Sequence, residues 1–359
     1  MSLKSAIAAE AQRLGFSLFG VIKPVTPPHF DVYEDWLERE SHGEMDYLAT
    51  VRARERRRDP GLILPGCQSI LVLGWPHTAP DLSPTGDEYR PTGPRGRTAS
   101  YAWGEDYHDL IPPRLEGLVG FIERLVGYPV SNRWYTDTGP ILERDLAQLA
   151  GLGWIGKNTC LINPRRGSFI LLAELFLGIR IEPDAPFQAD HCGTCTRCIE
   201  ACPTDCIQAN RTLDASRCIS YLTIELKGAI PRELRGDIGS WVIGCDICQQ
   251  VCPWNQRIAP REDLSPGEQS TREPELIFEL ALSPRDFNQR FKGTPFKRTK
   301  RHGYLRNVAV ALGNQGAVSA VIPLINTLNA DPEPLVRGHA AWALGRIGSE
   351  PARQALEQA

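Results

Sequence analysis

The sequence predicts an α+β protein with three consecutive regions: a front domain of mixed helices and strands (residues 1–182), a cysteine-rich domain (183–262) and a helical tail (263–359). Three observations predict this division. Helix and strand patterns alternate in the front region, most of the 11 cysteines crowd between residues 192 and 252, and a segment of the tail recurs at an offset of 31 to 32 residues. With 359 residues, 42% of them hydrophobic, the chain can bury two or three cores.

The front region carries amphipathic helical patterns at residues 4–14, 110–125 and 142–150, and apolar strand patterns at 16–22, 69–73 and 169–177. Such alternation is typical of a layered α/β domain. The region contains neither G-x-G-x-x-G after a strand nor G-x-x-x-x-G-K-[ST]. The sequence therefore gives no support for nicotinamide or nucleoside-triphosphate binding.

The cysteine spacing of the middle region is that of a bacterial two-cluster ferredoxin. The first run, C-x2-C-x2-C-x3-C-P, covers residues 192–203, and the second, C-x2-C-x3-C-P, covers 245–253. The second run lacks its first cysteine, because Ile243 and Gly244 stand in that place, and Cys218 is the natural substitute. In such a run three thiolates bind one [4Fe–4S] cube and the fourth binds its partner.

This rule predicts two sets of ligands. The first cube takes Cys192, Cys195, Cys198 and Cys252, and the second takes Cys202, Cys218, Cys245 and Cys248. Cys206 competes with Cys218 as a candidate ligand, whereas Cys67 and Cys160 are expected to be small core residues. Two cubes within about 60 residues form a short electron wire, which requires a redox centre at its end and an electron donor outside the chain.

Zinc and disulfides are the alternative uses of these cysteines. Structural zinc sites usually take two separated pairs, and disulfides need an oxidising compartment. The amino-terminal segment is amphipathic rather than an apolar export signal, and Arg56–Arg58 precede no apolar run. The longest apolar stretch, residues 169–179, contains Glu174 and is too short to cross a bilayer. We therefore expect a cytoplasmic protein without a membrane segment.

The tail repeats the segment 306–313 at 337–345, with apolar helical patterns at 320–328 and 352–356 between and after them. Helix pairs of this period are typical of HEAT-type repeats. Two repeats alone would be marginally stable, so they are expected to pack on the cluster domain. An α-helical cap with accidental similarity is the alternative.

A basic segment precedes the repeats. Residues 290–306 contain seven Lys or Arg and no acid, although the chain has a net charge of −3, and Phe291, Phe296 and Tyr304 are interleaved with them. Cations beside aromatic rings suit a nucleic-acid backbone with unstacked bases. The alternative is a solvated charged face.

Four further motifs complete a familiar pattern: residues 42–48 (HGEMDYL), 101–108 (YAWGEDYH), 137–140 (DTGP) and 153–159 (GWIGKNT). Together with the cluster domain and the helical tail, they resemble the epoxyqueuosine reductases over nearly the whole chain. The resemblance implies reduction of epoxyqueuosine to queuosine at the wobble position of tRNA, with cobalamin and two [4Fe–4S] cubes as cofactors. It also implies a front domain similar to that of reductive dehalogenases.

The resemblance assigns roles to single residues. Asp137 becomes the proton donor to the departing epoxide oxygen and a cofactor contact, and burial beside the corrin is expected to raise its pKa. The residues alone leave an alternative for each of two side chains: Asp137 as a turn or helix-capping residue, and His108 as a surface histidine. The expected corrin contacts are Arg57, Tyr101, Lys157, Asn158 and Ser168; the expected contacts with tRNA phosphates are Lys297, Arg298, Lys300 and Arg301.

The resemblance implies that the cobalt has no histidine ligand from the chain. The motif Asp106-x-His108-x-x-Ile111 agrees with this, because it lacks the glycine of a D-x-H-x-x-G sequence. Cys248 and its neighbours are expected to face the corrin. Nothing in the sequence demands an oligomer, so a monomer is expected. The rival interpretations are a corrinoid reductive dehalogenase, an iron–sulfur electron-transfer or RNA-binding subunit, and a front domain that binds flavin instead.

Overall fold

The computed structural model describes residues 2–77, 93–258 and 270–359. The predicted boundary between the second and third regions, at residues 262 and 263, lies outside these ranges. The strands are β1 (Leu18–Ile22), β2 (Ser69–Pro76), β3 (Arg97–Thr98), β4 (Asn132–Tyr135), β5 (Trp154–Ile155), β6 (Leu161–Ile162), β7 (Ile170–Leu177) and β8 (Trp241–Ile243).

The helices of the front domain are α1 (Leu3–Arg13), α2 (Phe30–Glu38), α3 (Asp46–Ala49), α4 (Val51–Arg58), α5 (Tyr107–Leu110), α6 (Pro112–Val126) and α7 (Glu143–Leu149). Those of the middle region are α8 (Arg197–Glu200), α9 (Ile219–Ile224) and α10 (Ile247–Gln250). The tail contains α11 (Leu276–Leu280), α12 (Pro284–Arg290), α13 (Lys300–Asn314), α14 (Val321–Ala330), α15 (Pro334–Ile347) and α16 (Glu350–Gln358).

A four-stranded sheet in the order β1–β2–β7–β4 forms the centre of the front domain, and every neighbouring pair is antiparallel. The predicted helices and strands of this region are present within a few residues of their expected bounds. Their alternation along the chain suggested an α/β layering, but it carried no information on strand direction. The antiparallel sheet is instead a feature of α+β domains.

The two faces of the sheet bury different helices, because successive side chains of a strand point to opposite sides. On β7, Ala173, Leu175 and Leu177 pack in the core that contains α1 and α6. Leu172 and Phe176 pack in the core that contains α7. Glu174 shares the parity of the second pair, so the strand places this carboxyl on the α7 side.

The middle region joins the front domain through a short parallel ladder between β3 and β8. Its helices α8 and α10, which lie within the two cysteine runs, pack against each other. All 11 cysteines are free of disulfides. The two runs therefore meet in space, as a ferredoxin-like arrangement requires.

The tail packs on the middle region through the buried helix α13. Arg306 is fully buried and donates hydrogen bonds to the carbonyl oxygens of Leu222 (2.6 Å), Leu226 (2.9 Å) and Gly228 (2.6 Å) around the end of α9. A buried guanidinium is tolerated where carbonyls satisfy its donors. The expected docking of the repeats on the cluster domain is thus confirmed. Among the described residues no helix is long and apolar enough to span a membrane.

Candidate cofactor and substrate site

The cysteines of the middle region form two groups. In the first, Cys192 and Cys252 share an apolar cluster with Trp154, whose indole Nε1 donates to Cys192 Sγ at 3.4 Å. Burial, together with the neighbouring thiols of Cys192, Cys252 and Cys195, raises the pKa of Cys198 to about 11. These four cysteines are the ones that the spacing assigned to the first cube.

The second group contains Cys202, Cys218, Cys245 and Cys248. Burial raises the pKa of Cys245, and the nearby thiols of Cys218 and Cys202 add to the effect. Cys248 likewise faces Cys245 and Cys218. These four cysteines are the ones predicted to bind the second cube, and this assignment stays a prediction. Among the described residues, no three His, Cys, Asp or Glu side chains come together as ligands of a single metal ion. A cube takes one thiolate at each iron.

Two further cysteines lie beside the second group. Cys206 Sγ is 3.4 Å from Cys202 Sγ and hydrogen-bonds to Cys218, so the competition between Cys206 and Cys218 stays open. Cys160 is half-buried and hydrogen-bonds to Cys248, which lowers the pKa of the Cys160 thiol. Whether Cys160 is a small core residue rather than a ligand stays a prediction. Its place before β6 gave no signal of this contact, because Cys248 is distant in sequence.

Three of the expected corrin contacts join the front domain to the cluster loops. Lys157 Nζ donates to the carbonyl oxygens of Gly193 (2.8 Å) and Cys195 (3.0 Å). Asn158 is buried, and its amide donates to Cys248 O at 3.4 Å. Ser168 Oγ lies 2.8 Å from Gln249 Oε1, and its backbone N–H donates to Asn255 Oδ1 at 2.7 Å.

None of these three residues lines the large cavity of the front domain, and neither does Tyr101. The Tyr101 ring packs edge-to-face on Tyr107, with 6.1 Å between ring centroids. The structure thus gives all four residues other partners, and their contacts with the corrin stay predictions.

The cavity has a volume of about 1210 Å³. It is lined by the rings of Tyr33 and Trp36, by the buried cation Arg57, by residues 137–145 and by residues 188–190 and 210–213 of the middle region. Pockets for drug-sized ligands measure roughly 300–1,000 Å³. The space therefore suits a larger ligand that contacts both the front domain and the cluster domain.

Asp137 lies at the rim of this cavity in a left-handed turn, with φ of 58°. Its backbone N–H donates to Glu143 Oε1 at 2.8 Å. Its Oδ2 is 3.1 Å from Arg298 Nη1 and 3.5 Å from His108 Nε2. It does not cap a helix, since the residue before α7 is Leu142. The side chain is 45% exposed, so solvent or a ligand has access to it.

The charges around Asp137 reverse the expected shift of its pKa. Partial burial raises the pKa, but the neighbouring His108, the charge of Arg298 and the neighbouring Tyr107 together lower it to about 2. The hydrogen bond with Asp106 and the nearby carboxylate of Asp137 raise the pKa of His108 to about 9, against the opposing effect of burial. At neutral pH the proton of this pair thus lies on His108, and the expectation of a raised pKa for Asp137 is wrong.

The basic segment is less available for nucleic acid than its composition indicated. Arg298 also binds Glu225 Oε1 through Nε at 2.7 Å, and Arg301 binds Asp331 Oδ2 at 2.5 Å. Lys297 hydrogen-bonds to Asn288, whereas Lys300 is exposed. The three aromatic rings are buried and pack on one another, with Phe291 and Phe296 stacked at 4.4 Å, and so do not form an exposed stacking platform.

Comparison with known proteins accounts for this combination. Residues 57–138 match the family model "Epoxyqueuosine reductase QueG, DUF1730", residues 191–255 match the 4Fe-4S double cluster binding domain and residues 303–359 match HEAT repeats. The epoxyqueuosine reductase of Pseudomonas aeruginosa is 39% identical over 348 residues, which is 96% of this chain and 95% of that protein. The chain belongs to the epoxyqueuosine reductase family.

Two solved members of the family share the fold across 99% of this chain. One is an epoxyqueuosine reductase with an epoxyqueuosine-modified tRNA-Tyr stem loop; it is 33% identical, has a TM-score of 0.86 and is covered over 94% of its length. The other is the Bacillus subtilis epoxyqueuosine reductase with its catalytic aspartate loop swung out of the active site; it is 33% identical, has a TM-score of 0.85 and is covered over 93%.

Family membership confirms the reductase class, the double-cluster domain and the HEAT-like tail that the sequence predicted. The chain is therefore an oxidoreductase, which excludes the interpretation of a subunit that only transfers electrons or binds RNA. Sequence reasoning missed Glu143, which holds the backbone of Asp137 from the first turn of α7. The only signal was its position three residues after the DTGP motif.

Proposed function

We propose that this chain reduces epoxyqueuosine to queuosine at the wobble position of tRNA. The reaction consumes two electrons and two protons, breaks both carbon–oxygen bonds of the epoxide, forms an alkene and releases the oxygen as water. The observation that carries the proposal is the Asp137–His108 pair at the rim of a large cavity, in a chain whose relatives are epoxyqueuosine reductases.

The residues present fit the proposed cofactors. Two groups of four thiols, with no disulfide between them, suit two [4Fe–4S] clusters. The cavity is large, partly aromatic and bordered by loops of the cluster domain, and Arg57 offers a buried cation; these features suit cobalamin. Cobalamin supplies a cobalt centre that accumulates reducing equivalents and engages carbon. Arg57 and Asp137 are the cavity residues that we assign to its binding.

The protonation step uses the side chains around Asp137. Asp137 accepts a proton from His108 and passes it to the departing oxygen, because its carboxylate is the more exposed member of the pair. Asp106 holds His108 from the other side, through Nδ1 at 2.8 Å. General acid catalysis of this kind contributes roughly 10²–10⁴-fold to a rate.

The tail is proposed to bind the tRNA. Lys300 and Lys297 are the best placed of the four predicted contacts, because Arg301 is paired with Asp331 and Arg298 with Asp137 and Glu225.

A tRNA substrate implies action in the cytoplasm. We also propose that an external low-potential donor supplies the electrons and that the protein is a monomer.

The test is anaerobic turnover of epoxyqueuosine-containing tRNA by protein reconstituted with iron, sulfide and cobalamin, with a chemical reductant and detection of nucleosides by mass spectrometry. Loss of one oxygen that depends on added cobalamin supports the proposal. If protein that holds both clusters and cobalamin converts nothing, the substrate is wrong. Full turnover without cobalamin would reject the cofactor.

A further inference from the structure

A buried acidic pair lies directly behind Asp137. Glu174 is 0% exposed in the middle of β7, on the sheet face that packs against α7. Its neighbours on that face, Leu172 and Phe176, are apolar. Glu174 pairs with Tyr135 in the ladder between β7 and β4. Tyr135 is two residues before Asp137 in the chain, so Glu174 lies close to the Asp137 turn. A buried carboxylate without a partner would lower the stability of the fold. The protonation state of Glu174 therefore depends on the group beside it.

Both Glu174 carboxyl oxygens are buried, and no N–H or O–H group of the described residues donates a hydrogen bond to them. The charged group that acts on Glu174 is Glu143, the first residue of α7. Glu143 also lines the cavity, and its Oε1 accepts the backbone N–H of Asp137 at 2.8 Å. The charged groups that face Glu143 are Asp137, Arg57 and Arg144, in addition to Glu174. Glu174 faces Glu143.

Two carboxyl groups in contact do not both ionise at neutral pH, because the second charge is repelled by the first. Burial and the charge of Glu143 raise the pKa of Glu174 well above its usual range. Burial, together with the charge of Asp137, raises the pKa of Glu143 to about 7. Glu174 therefore keeps its proton and can donate its O–H to Glu143, which fixes the direction of the Glu143 carboxylate.

We propose that Glu143 and Glu174 hold a shared proton and that Glu143 is a positioning residue, which fixes the left-handed turn of Asp137 by accepting its backbone N–H. The catalytic part of this inference rests on the proposed function; the structural part does not. A non-glycine residue with positive φ persists only where its surroundings hold it. In this turn the Glu143 bond is the contact that ties the Asp137 backbone to α7.

The first test is hydrogen exchange at residues 136–139 in protein with both clusters and cobalamin bound. Glu143→Ala removes the acceptor and should speed exchange of the Asp137 amide by about tenfold or more, because exchange reports local opening. Glu143→Gln keeps an acceptor oxygen and should exchange like the wild type. Glu116→Ala, at an exposed position of α6, is the control. Unchanged exchange in Glu143→Ala would overturn the proposal.

The same variants should separate positioning from substrate binding. Glu143→Ala should lower kcat about 10- to 100-fold with little change in KM for tRNA, since a small misplacement of a catalytic group has effects of this size. Glu143→Gln should restore most of kcat. Equal kcat in Glu143→Ala and wild type contradicts the inference. If the wild type converts no tRNA, the proposed function fails, and hydrogen exchange still decides the structural part.

The shared proton has its own readout in the pH dependence of stability. A carboxyl whose pKa is raised by folding stabilises the protein below its unfolded pKa and loses that contribution as pH rises through the folded value. The contribution of the pair should therefore be lost as pH rises from the ordinary range of a glutamic acid through about 7, the pKa of Glu143 in the folded protein, and Glu174→Gln should lose less thermal stability than the wild type over this range. Identical pH dependence in the two proteins would overturn the shared proton, even if Glu143→Ala fails to fold.

Discussion

Arg298 Nη1 lies 3.1 Å from Asp137 Oδ2, so a residue of the basic segment before the repeats reaches the carboxylate at the rim of the front-domain cavity. The same guanidinium binds Glu225 just after α9 in the middle region. One side chain thus connects all three parts of the chain at the proposed active site. A ligand that draws Arg298 away would weaken its hold on Asp137 and raise the pKa of that carboxyl.

This ion pair leads to a prediction for Arg298→Ala. Loss of the guanidinium should raise the pKa of Asp137 from about 2 toward its ordinary value, because Arg298 is one of the groups that lower it. The acid limb of the pH profile of kcat should therefore move to higher pH. Arg298→Lys should restore part of the shift, and Arg285→Ala, at an exposed position of α12, should have no effect. An unmoved acid limb in Arg298→Ala would contradict the role of this ion pair.

His108 should determine the pH at which kcat falls on the alkaline side of its pH profile. Its pKa of about 9 means that it carries a proton below that pH and loses it above, so kcat should fall as pH rises through about 9. Asp106→Asn removes the largest cause of the raised pKa and should move this limb to lower pH. His108→Gln should lower kcat about 10- to 100-fold and abolish the limb. A limb that stays near pH 9 in both variants would assign the titration to another group.

Iron analysis should distinguish Cys218 from Cys206. Two intact cubes give about eight iron atoms per chain, each bound through one thiolate. Cys218→Ala should lose about four of them, whereas Cys206→Ala and the control Cys67→Ala should keep all. If Cys206→Ala loses iron and Cys218→Ala keeps all of it, Cys206 and not Cys218 is the ligand of the second cube.

The sequence predicted the cluster domain and the repeats, because the cysteine spacing and the repeat period both depend on residues close together in the chain. The sequence did not predict the surroundings of Asp137. His108, Glu143 and Arg298 come from three separate elements, and their summed charges decide whether Asp137 holds a proton. Spacing predicted the thiol groups, but nothing local predicted the Asp137 pKa.

The basic segment shows the same limit for binding surfaces. Its composition suggested cations and aromatic rings available to a nucleic acid, with four of the cations predicted to bind tRNA phosphates, yet Arg301 is paired with Asp331 and Arg306 is fully buried. A run of charges does not reveal which acids the fold will bring to it. The rings of Phe291 and Phe296 pack on Tyr304 of α13, so all three belong to the core.

A salt titration tests the two remaining cations that we propose to bind tRNA. Replacement of Lys297 and Lys300 by Ala should weaken binding and reduce the slope of log K against log salt by about 1.4, or about 0.7 for each single-strand phosphate that is no longer neutralised. Lys23→Ala, at an exposed position just after β1, should bind tRNA like the wild type. Unchanged affinity and slope in the double variant would move the tRNA site away from this segment.

The most direct test of the account compares single-turnover conversion of epoxyqueuosine tRNA by the wild type, Asp137→Asn and Asp109→Asn, each with both clusters and cobalamin bound. Asp109 is an exposed carboxyl of the neighbouring helix α5 and serves as the control. Asp137→Asn should keep the cofactors and tRNA affinity but lose about 10²–10⁴-fold in rate, while Asp109→Asn converts normally. Near-normal conversion by Asp137→Asn would contradict the account and place proton delivery on another group.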